Sequence, residues 1–227
     1  MKIGFFGGSF DPPHRGHIAL ARLAAERLSL DRILFAPVGM QPLKRDRPTA
    51  GFDVRVAMTT LAIAGQPGME ISLVDAPRAD RRPNYTIDTV RTLRTTLPPG
   101  AEIFCLMGAD SFLSIGRWYR SADLLVACDF VVAARPGFDL GRIAAALPAT
   151  VSVAAADAPY PGALALSLHH GSRHASTLYL LPDLDEEVSA SAIREALEHG
   201  SPADSAIDPR VAAYIRRHGL YRADAAS

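Results

Sequence analysis

Several things are scarce in this chain of 227 residues, and each scarcity removes a class of function. It has two cysteines, Cys105 and Cys128, so there is no disulfide framework and no C-x-x-C pair. Both lie in apolar, strand-like stretches, which suits reduced thiols packed as small hydrophobes. Lys and Arg total 24 against 24 Asp and Glu; with zero net charge, no global basic field points to nucleic acid. No run of eighteen apolar residues occurs, so no membrane span is predicted. The apolar start from Ile3 to Phe6 is too short for the core of a secretory signal. It also runs into Asp11-Pro12-Pro13 where a small-residue cleavage site would be needed, and a cytoplasmic location is the expectation. Neither G-x-G-x-x-G nor G-x-x-x-x-G-K-[ST] is present, so any phosphate must be held without a P-loop lysine.

What is present is ordinary for a globular protein: 48% hydrophobic and 21% charged residues, in a length that suits one or two domains. Short runs rich in Ile, Val, Leu and Phe fall at 2–7, 32–37, 70–75, 102–107, 130–134, 151–154 and 178–181. They lack strict alternation, as strands covered on both faces do. Helical patterns lie between and after them, at 17–30, 52–64, 86–96, 121–127, 140–146, 190–199 and 209–218. This alternation predicts an α/β fold, a doubly wound parallel sheet in one Rossmann-like domain over 1–221. The last helices complete that domain, and an Ala-rich tail over 222–227 is expected to fray. The stretch 137–176 is loop-rich and poorly patterned apart from the two short candidates at 140–146 and 151–154. Its histidines, His169, His170 and His174, have no Asp, Glu or Cys at ligand spacing, so no metal site is expected there.

Ligands on doubly wound sheets sit beyond the carboxyl ends of the strands. The first strand ends in Gly7-Gly8-Ser9-Phe10-Asp11-Pro12-Pro13-His14-Arg15-Gly16-His17. Glycines there let the backbone approach a phosphate, and the following helix start offers unpaired N–H groups and a positive dipole end. A lone histidine at a helix start is usually solvated or capping. Two of them, three apart and directly after a strand–glycine turn, outline a nucleotide triphosphate site. Near the other end, Ser189 or Ser191 can cap a helix whose N–H groups bind phosphate. Arg194 then falls in its first turn, where a cation opposes the macrodipole at a cost of about 0.3–1 kcal/mol, which a bound anion would offset.

These residues carry a resemblance. His14-Arg15-Gly16-His17 resembles the HxGH signature of the nucleotidyltransferase superfamily, and the fuller string from Gly7 is similar to the bacterial nicotinate-mononucleotide adenylyltransferase family. Val188-Ser189-Ala190-Ser191-Ala192-Ile193-Arg194 resembles the second signature, ISSTxIR, with Ala190 in place of a serine and Ser191 in place of the threonine. Pro83-Asn84-Tyr85-Thr86-Ile87-Asp88-Thr89 resembles SYTxDTL, with Asn84 in the serine position. Thr86 is the expected N-cap there, with Asp88 in the first turn. Gly108-Ala109-Asp110 followed by Trp118 resembles a GxD…W pattern, and Arg135-Pro136-Gly137 resembles RPG. The likeness runs from residue 1 to about 221 and is weakest through 137–176.

The resemblance implies transfer of AMP from ATP to nicotinate mononucleotide, with Mg²⁺ carried by the triphosphate and deamido-NAD and pyrophosphate as products. It implies that His14, His17, Lys44 and Arg194 form the catalytic set; Arg45 and Arg47 are substitutes for Lys44. Gly7, Gly8, Ser9, Phe10, Gly108, Asp110, Arg135, Ser189 and Ser191 join them around ATP. Lys44, Tyr85, Thr86, Asp88 and Trp118 face the acceptor, Trp118 stacking on the pyridinium ring. Arg55 is the structural arginine of the next helix. No nucleic-acid or membrane partner is implied, and a homo-oligomer is neither encoded nor excluded. The competing readings are a nicotinamide-mononucleotide or pantetheine-phosphate adenylyltransferase, or a nucleotide-binding module without turnover. The pantetheine enzymes share only the first motif, and a module without turnover would be expected to lack one of the histidines.

Overall fold

The computed structural model describes residues 1–41, 50–135, 137–139, 141–171, 175–184, 186, 188–201, 203 and 205–222. The chain opens with β1 (Lys2–Gly8), α1 (Arg15–Leu28), β2 (Arg32–Pro37), α2 (Phe52–Ile63), β3 (Met69–Ile71) and α3 (Thr86–Thr96). Next come β4 (Glu102–Gly108), the single turn α4 (Ala109–Phe112), a 3₁₀ turn (Ile115–Arg117), α5 (Ser121–Leu125) and β5 (Asp129–Ala133). Last are α6 (Gly141–Ala145), β6 (Ser152–Ala156), β7 (Leu164–His169), β8 (Ser176–Leu181), α7 (Ala190–Glu198) and α8 (Pro209–His218).

The strands form one sheet in the order β3-β2-β1-β4-β5-β8-β7-β6. It is parallel from β3 through β8. β1 leads out to β2 on one side, while its other neighbour, β4, leads out to β5. A crevice therefore opens at the carboxyl ends of β1 and β4, where Gly7, Gly8 and Gly108 lie. Side chains alternate across each strand, so Ile3, Phe5, Ile103, Cys105 and Phe130 pack on one face. Phe6, Phe35, Phe104, Leu106 and Val131 pack on the other. Both faces are covered, which is why the strands read as continuous apolar runs.

The sheet departs from the predicted all-parallel one at its far edge. β7 runs antiparallel to β8, and β6 antiparallel to β7. Within the poorly patterned stretch, α6 and β6 fall where a helix over 140–146 and a strand over 151–154 were expected, and β7 is an unexpected strand. A signal was there: Leu164, Leu166 and Leu168 alternate with Ala165 and Ser167, the period-two mark of a half-covered strand. The strand expected over 70–75 stops at Ile71, because the chain then turns inward and the Gly39 N–H bonds the Asp75 carbonyl at 2.8 Å. The approach is so close that a Cβ on Gly39 would lie 2.4 Å from Pro77 N, which leaves glycine as the residue that fits.

A third apolar cluster positions the site. Met58 and Ala62 of α2 pack with Ile193 of α7 and with Val211 and Ile215 of α8. This docking brings the start of α7 beside the start of α1, although some 175 residues separate them in sequence.

Candidate active site

Helix α1 begins at Arg15, two residues earlier than its apolar periodicity indicates, with His14 as an extended N-cap (φ −139°, ψ 171°). Both histidines therefore belong to the helix start. The His14 backbone N–H donates to His17 Nδ1 at 3.1 Å, so that nitrogen is an acceptor and the neutral ring carries its proton on Nε2. The two rings stack with centroids 3.7 Å apart and planes at 30°. Gly16 makes the stack possible: a Cβ there would lie 3.1 Å from His14 Nδ1 and 3.2 Å from its Cε1. On its other side the His17 ring meets Phe10 edge-on at 5.0 Å. Phe10 is buried in the left-handed region (φ 49°), its ring set over Gly8.

Burial pushes the His14 pKa from 6.5 down to about 4, so the ring is neutral at physiological pH. The unfolded chain takes up this proton near 6.5 and the folded chain only near 4. The stability held by neutral His14 is therefore complete above 6.5 and is lost as pH falls from 6.5 to 4, on the order of 3 kcal/mol. Urea midpoints at about pH 7.5 and about pH 4.5 should fall further for the wild type than for His14→Gln; equal falls would refute the assignment.

The turn before the histidines is organised by Asp11, which was not among the expected site residues. It is 2% exposed. Its Oδ1 accepts from the Ala50 N–H at 3.2 Å and from the Tyr221 hydroxyl at 2.6 Å. Arg194 donates to its main-chain carbonyl at 2.6 Å, with Nη1 4.0 Å from the carboxylate Oδ2. Arg55, the expected structural arginine, donates to the carbonyls of Ala50 (3.0 Å), Ser9 (2.8 Å) and Val38 (2.8 Å). A single buried guanidinium thus ties the ends of β1 and β2 to the entry of α2. Spacing could not reveal Asp11, because three of its partners lie 39, 183 and 210 residues away.

In the second motif Ser189 is the N-cap of α7, its Oγ accepting from the Ala192 N–H at 3.2 Å. Ser191 is not a cap; its Oγ accepts from Arg194 Nη2 at 3.2 Å. Arg194 is the fifth residue of α7, past the first turn where it was expected. The anion expected to offset its charge is partly supplied from within, by Asp11.

The segment expected to face the acceptor differs from expectation at the start of α3. Tyr85, not Thr86, is the N-cap; it is extended and makes no side-chain cap bond, and Thr86 is the first helical residue. Asn84 causes this. It exchanges N–H···O bonds with Met40 (its N to Met40 O at 3.0 Å, its Oδ1 from Met40 N at 3.0 Å) and donates from Nδ2 to the Ala76 carbonyl at 2.9 Å. A serine would offer a single, shorter-reaching oxygen in place of these two atoms. Beside it, burial raises the Asp75 pKa, while Thr89 Oγ1 donates to that carboxylate at 2.7 Å. A cavity of about 90 Å³ is lined by Asp75, Asn84, Tyr85 and Thr89. Asp88 pairs with Arg91 across one helical turn at 3.3 Å, so its carboxylate is already engaged. Tyr85 stacks on Tyr119 at 4.4 Å, and half-buried Trp118 donates from Nε1 to Ser114 Oγ at 2.9 Å. Asp110 is exposed at the start of α4, and Arg135 is exposed just beyond β5. Lys44, with Arg45 and Arg47, lies outside the described residues.

The described features are those of a nucleotide-binding α/β transferase with two histidines at its first helix. A family model described as cytidylyltransferase-like matches residues 5–196, and the chain belongs to that family. Within it, the chain is 36% identical over 221 residues to a probable nicotinate-nucleotide adenylyltransferase of Gloeobacter violaceus, covering 97% of this chain and 96% of the relative. It is 37% identical over 226 residues to one of Pelobacter propionicus, covering 97% and 98%. Among solved structures, Plasmodium falciparum nicotinic acid mononucleotide adenylyltransferase complexed with NaAD superposes with a TM-score of 0.68 at 19% identity, covering 97% of each chain. A putative nicotinate-nucleotide adenylyltransferase of Vibrio parahaemolyticus gives 0.62 at 17% identity, over 98% and 96%. At those identities the structures establish the shared fold.

Proposed function

We infer that this chain transfers AMP from ATP to nicotinate mononucleotide, giving deamido-NAD and pyrophosphate. The observation that carries the reading is the stacked His14–His17 pair at the start of α1, with His17 Nδ1 accepting from the His14 backbone N–H, which puts the proton of the neutral ring on Nε2. In this reaction a phosphate oxygen of the acceptor attacks the α-phosphorus of ATP, and the bond to the β-phosphate oxygen breaks. The attacking phosphate is already ionised, so no general base is needed. The task is alignment and charge neutralisation. We assign His17, His14, Ser191, Arg194, Lys44 and the N–H groups of Gly8, Ser9 and α7 to the triphosphate, and Gly7, Phe10, Gly108, Asp110, Arg135 and Ser189 to shaping the rest of the ATP site.

Magnesium enters as part of the substrate, MgATP. Among the described residues no group of three or more His, Cys, Asp or Glu side chains is arranged to hold a metal, and the Asp11 carboxylate is already engaged. Among the same residues no helix is long and apolar enough to cross a membrane, and we place the enzyme in the cytoplasm with small nucleotides as partners.

We place the nicotinate ring between Trp118 and the start of α3. The first-turn N–H groups of Thr86 and Ile87 have no intrahelical acceptor, and Tyr85 supplies none from its side chain. A carboxylate accepts from such groups, whereas a carboxamide NH₂ opposes them. Pyrophosphate release with the acid and amide mononucleotides should therefore favour the acid by about 10²-fold or more. Equal use would overturn the acceptor assignment, and release with neither would overturn the reaction.

A further inference from the structure

The segment after α8 reaches back into the nucleotide turn. Gly219 ends the helix in the left-handed region (φ 62°), and Tyr221 follows with φ 58°, a conformation that an aromatic residue keeps only when its surroundings impose it. Its ring packs against the third apolar cluster, and its hydroxyl donates to Asp11 Oδ1 at 2.6 Å. Burial and the neighbouring Asp11 carboxylate raise the Tyr221 pKa, so the phenol remains a donor throughout the physiological range. Nothing in the proposed chemistry uses this residue.

Its effect follows from the two oxygens of Asp11. Oδ1 is satisfied by Tyr221 and by the Ala50 N–H. Oδ2 is buried without a hydrogen bond, and Arg194 Nη1 stands 4.0 Å from it, at ion-pair distance but beyond hydrogen-bond reach. The guanidinium instead bonds the Asp11 carbonyl and Ser191 Oγ. A carboxylate stripped of a strong donor draws more tightly on the nearest cation.

We propose that Tyr221 is a positioning residue for ATP: by occupying Asp11 Oδ1 it keeps the carboxylate from capturing Arg194, which stays available to a phosphate of the triphosphate. This rests on the assignment of Arg194 to the phosphates made above. The carboxyl-terminal segment is then a working part of the nucleotide site, acting through Asp11 without touching substrate.

The test uses the full chain, with Tyr221→Phe, Arg194→Ala and the double variant. It measures KM for ATP and for nicotinate mononucleotide, kcat, the Kd of a non-hydrolysable ATP analogue, and Tm. Tyr221→Phe keeps the ring and should raise KM for ATP and the analogue Kd about five-fold, with kcat and the acceptor KM within about two-fold. In the Arg194→Ala background the same change should add nothing, since its target is gone. A Tyr221→Phe variant with lower Tm but unchanged ATP affinity would overturn the proposal. So would an effect that persists in full without Arg194. If Arg194→Ala itself leaves ATP affinity unchanged, the phosphate role of Arg194 falls and this proposal with it. If Arg194→Ala weakens ATP while Tyr221→Phe is silent, only the Tyr221 proposal falls.

Discussion

Replacing His17 with alanine should lower kcat by about 10²–10³-fold while leaving the fold intact, the size of loss seen when one preorganised donor to a developing charge is removed. The residue does two jobs that substitutions can separate. Its Nδ1 accepts the His14 N–H, a capping bond whose loss costs about 1 kcal/mol. Its Nε2–H is the donor we assign to the triphosphate. Asparagine places its carbonyl near the Nδ1 position but cannot reach the Nε2 position. His17→Asn should therefore match the wild type in Tm and the alanine variant in turnover. Glutamine reaches further and should recover part of the rate without the cap. Turnover that follows Tm across the three variants would reduce His17 to a helix cap, and unchanged turnover in His17→Ala would remove the core of the functional reading.

Arg55→Met should be the most destabilising single change at the site, by about 3–5 kcal/mol, because it removes the charged partner from a buried network and strands the groups it served. Arg55 is 4% exposed, and the carbonyls of Ser9, Val38 and Ala50 all depend on it. Burial lowers its pKa, and the nearby charge of Asp11 counters that, so the pair shares the cost of desolvation. Against a typical total of about 5–15 kcal/mol the loss is severe. For a domain of this size it corresponds to a fall in Tm of about 10 °C, read by thermal denaturation followed by circular dichroism. Arg55→Lys should not rescue, since one ammonium cannot serve three carbonyls lying in different directions. A methionine variant melting within about 2 °C of the wild type would show that the three carbonyls find other donors.

The first turn and most of the sheet were legible because their determinants are local. Apolar runs bounded by turns announced β1, β2, β4, β5, β6 and β8, and Gly7-Gly8 with His14 and His17 announced the strand–turn–helix junction within eleven residues of chain. The cap of α3 was misplaced by one residue because its determinant is not local: Asn84 reaches to Met40, 44 residues away. Strand β7 escaped because its signal, alternate leucines among small residues, is weak beside the loop-like segments on either side.

The sequence by itself determined the class of fold, the two signature motifs and the chemistry they suit, because strand period, glycine turns and helix starts are written in neighbouring residues. Only the tertiary structure decided which groups those motifs meet. Docking of α7 and α8 on α2 sets Arg194 against Asp11, and the turn after α8 delivers Tyr221 to the same carboxylate. Whether a buried charge is free or engaged depends on what packs beside it, and the partners of Asp11 are Ala50, Arg194 and Tyr221, all remote from it in sequence.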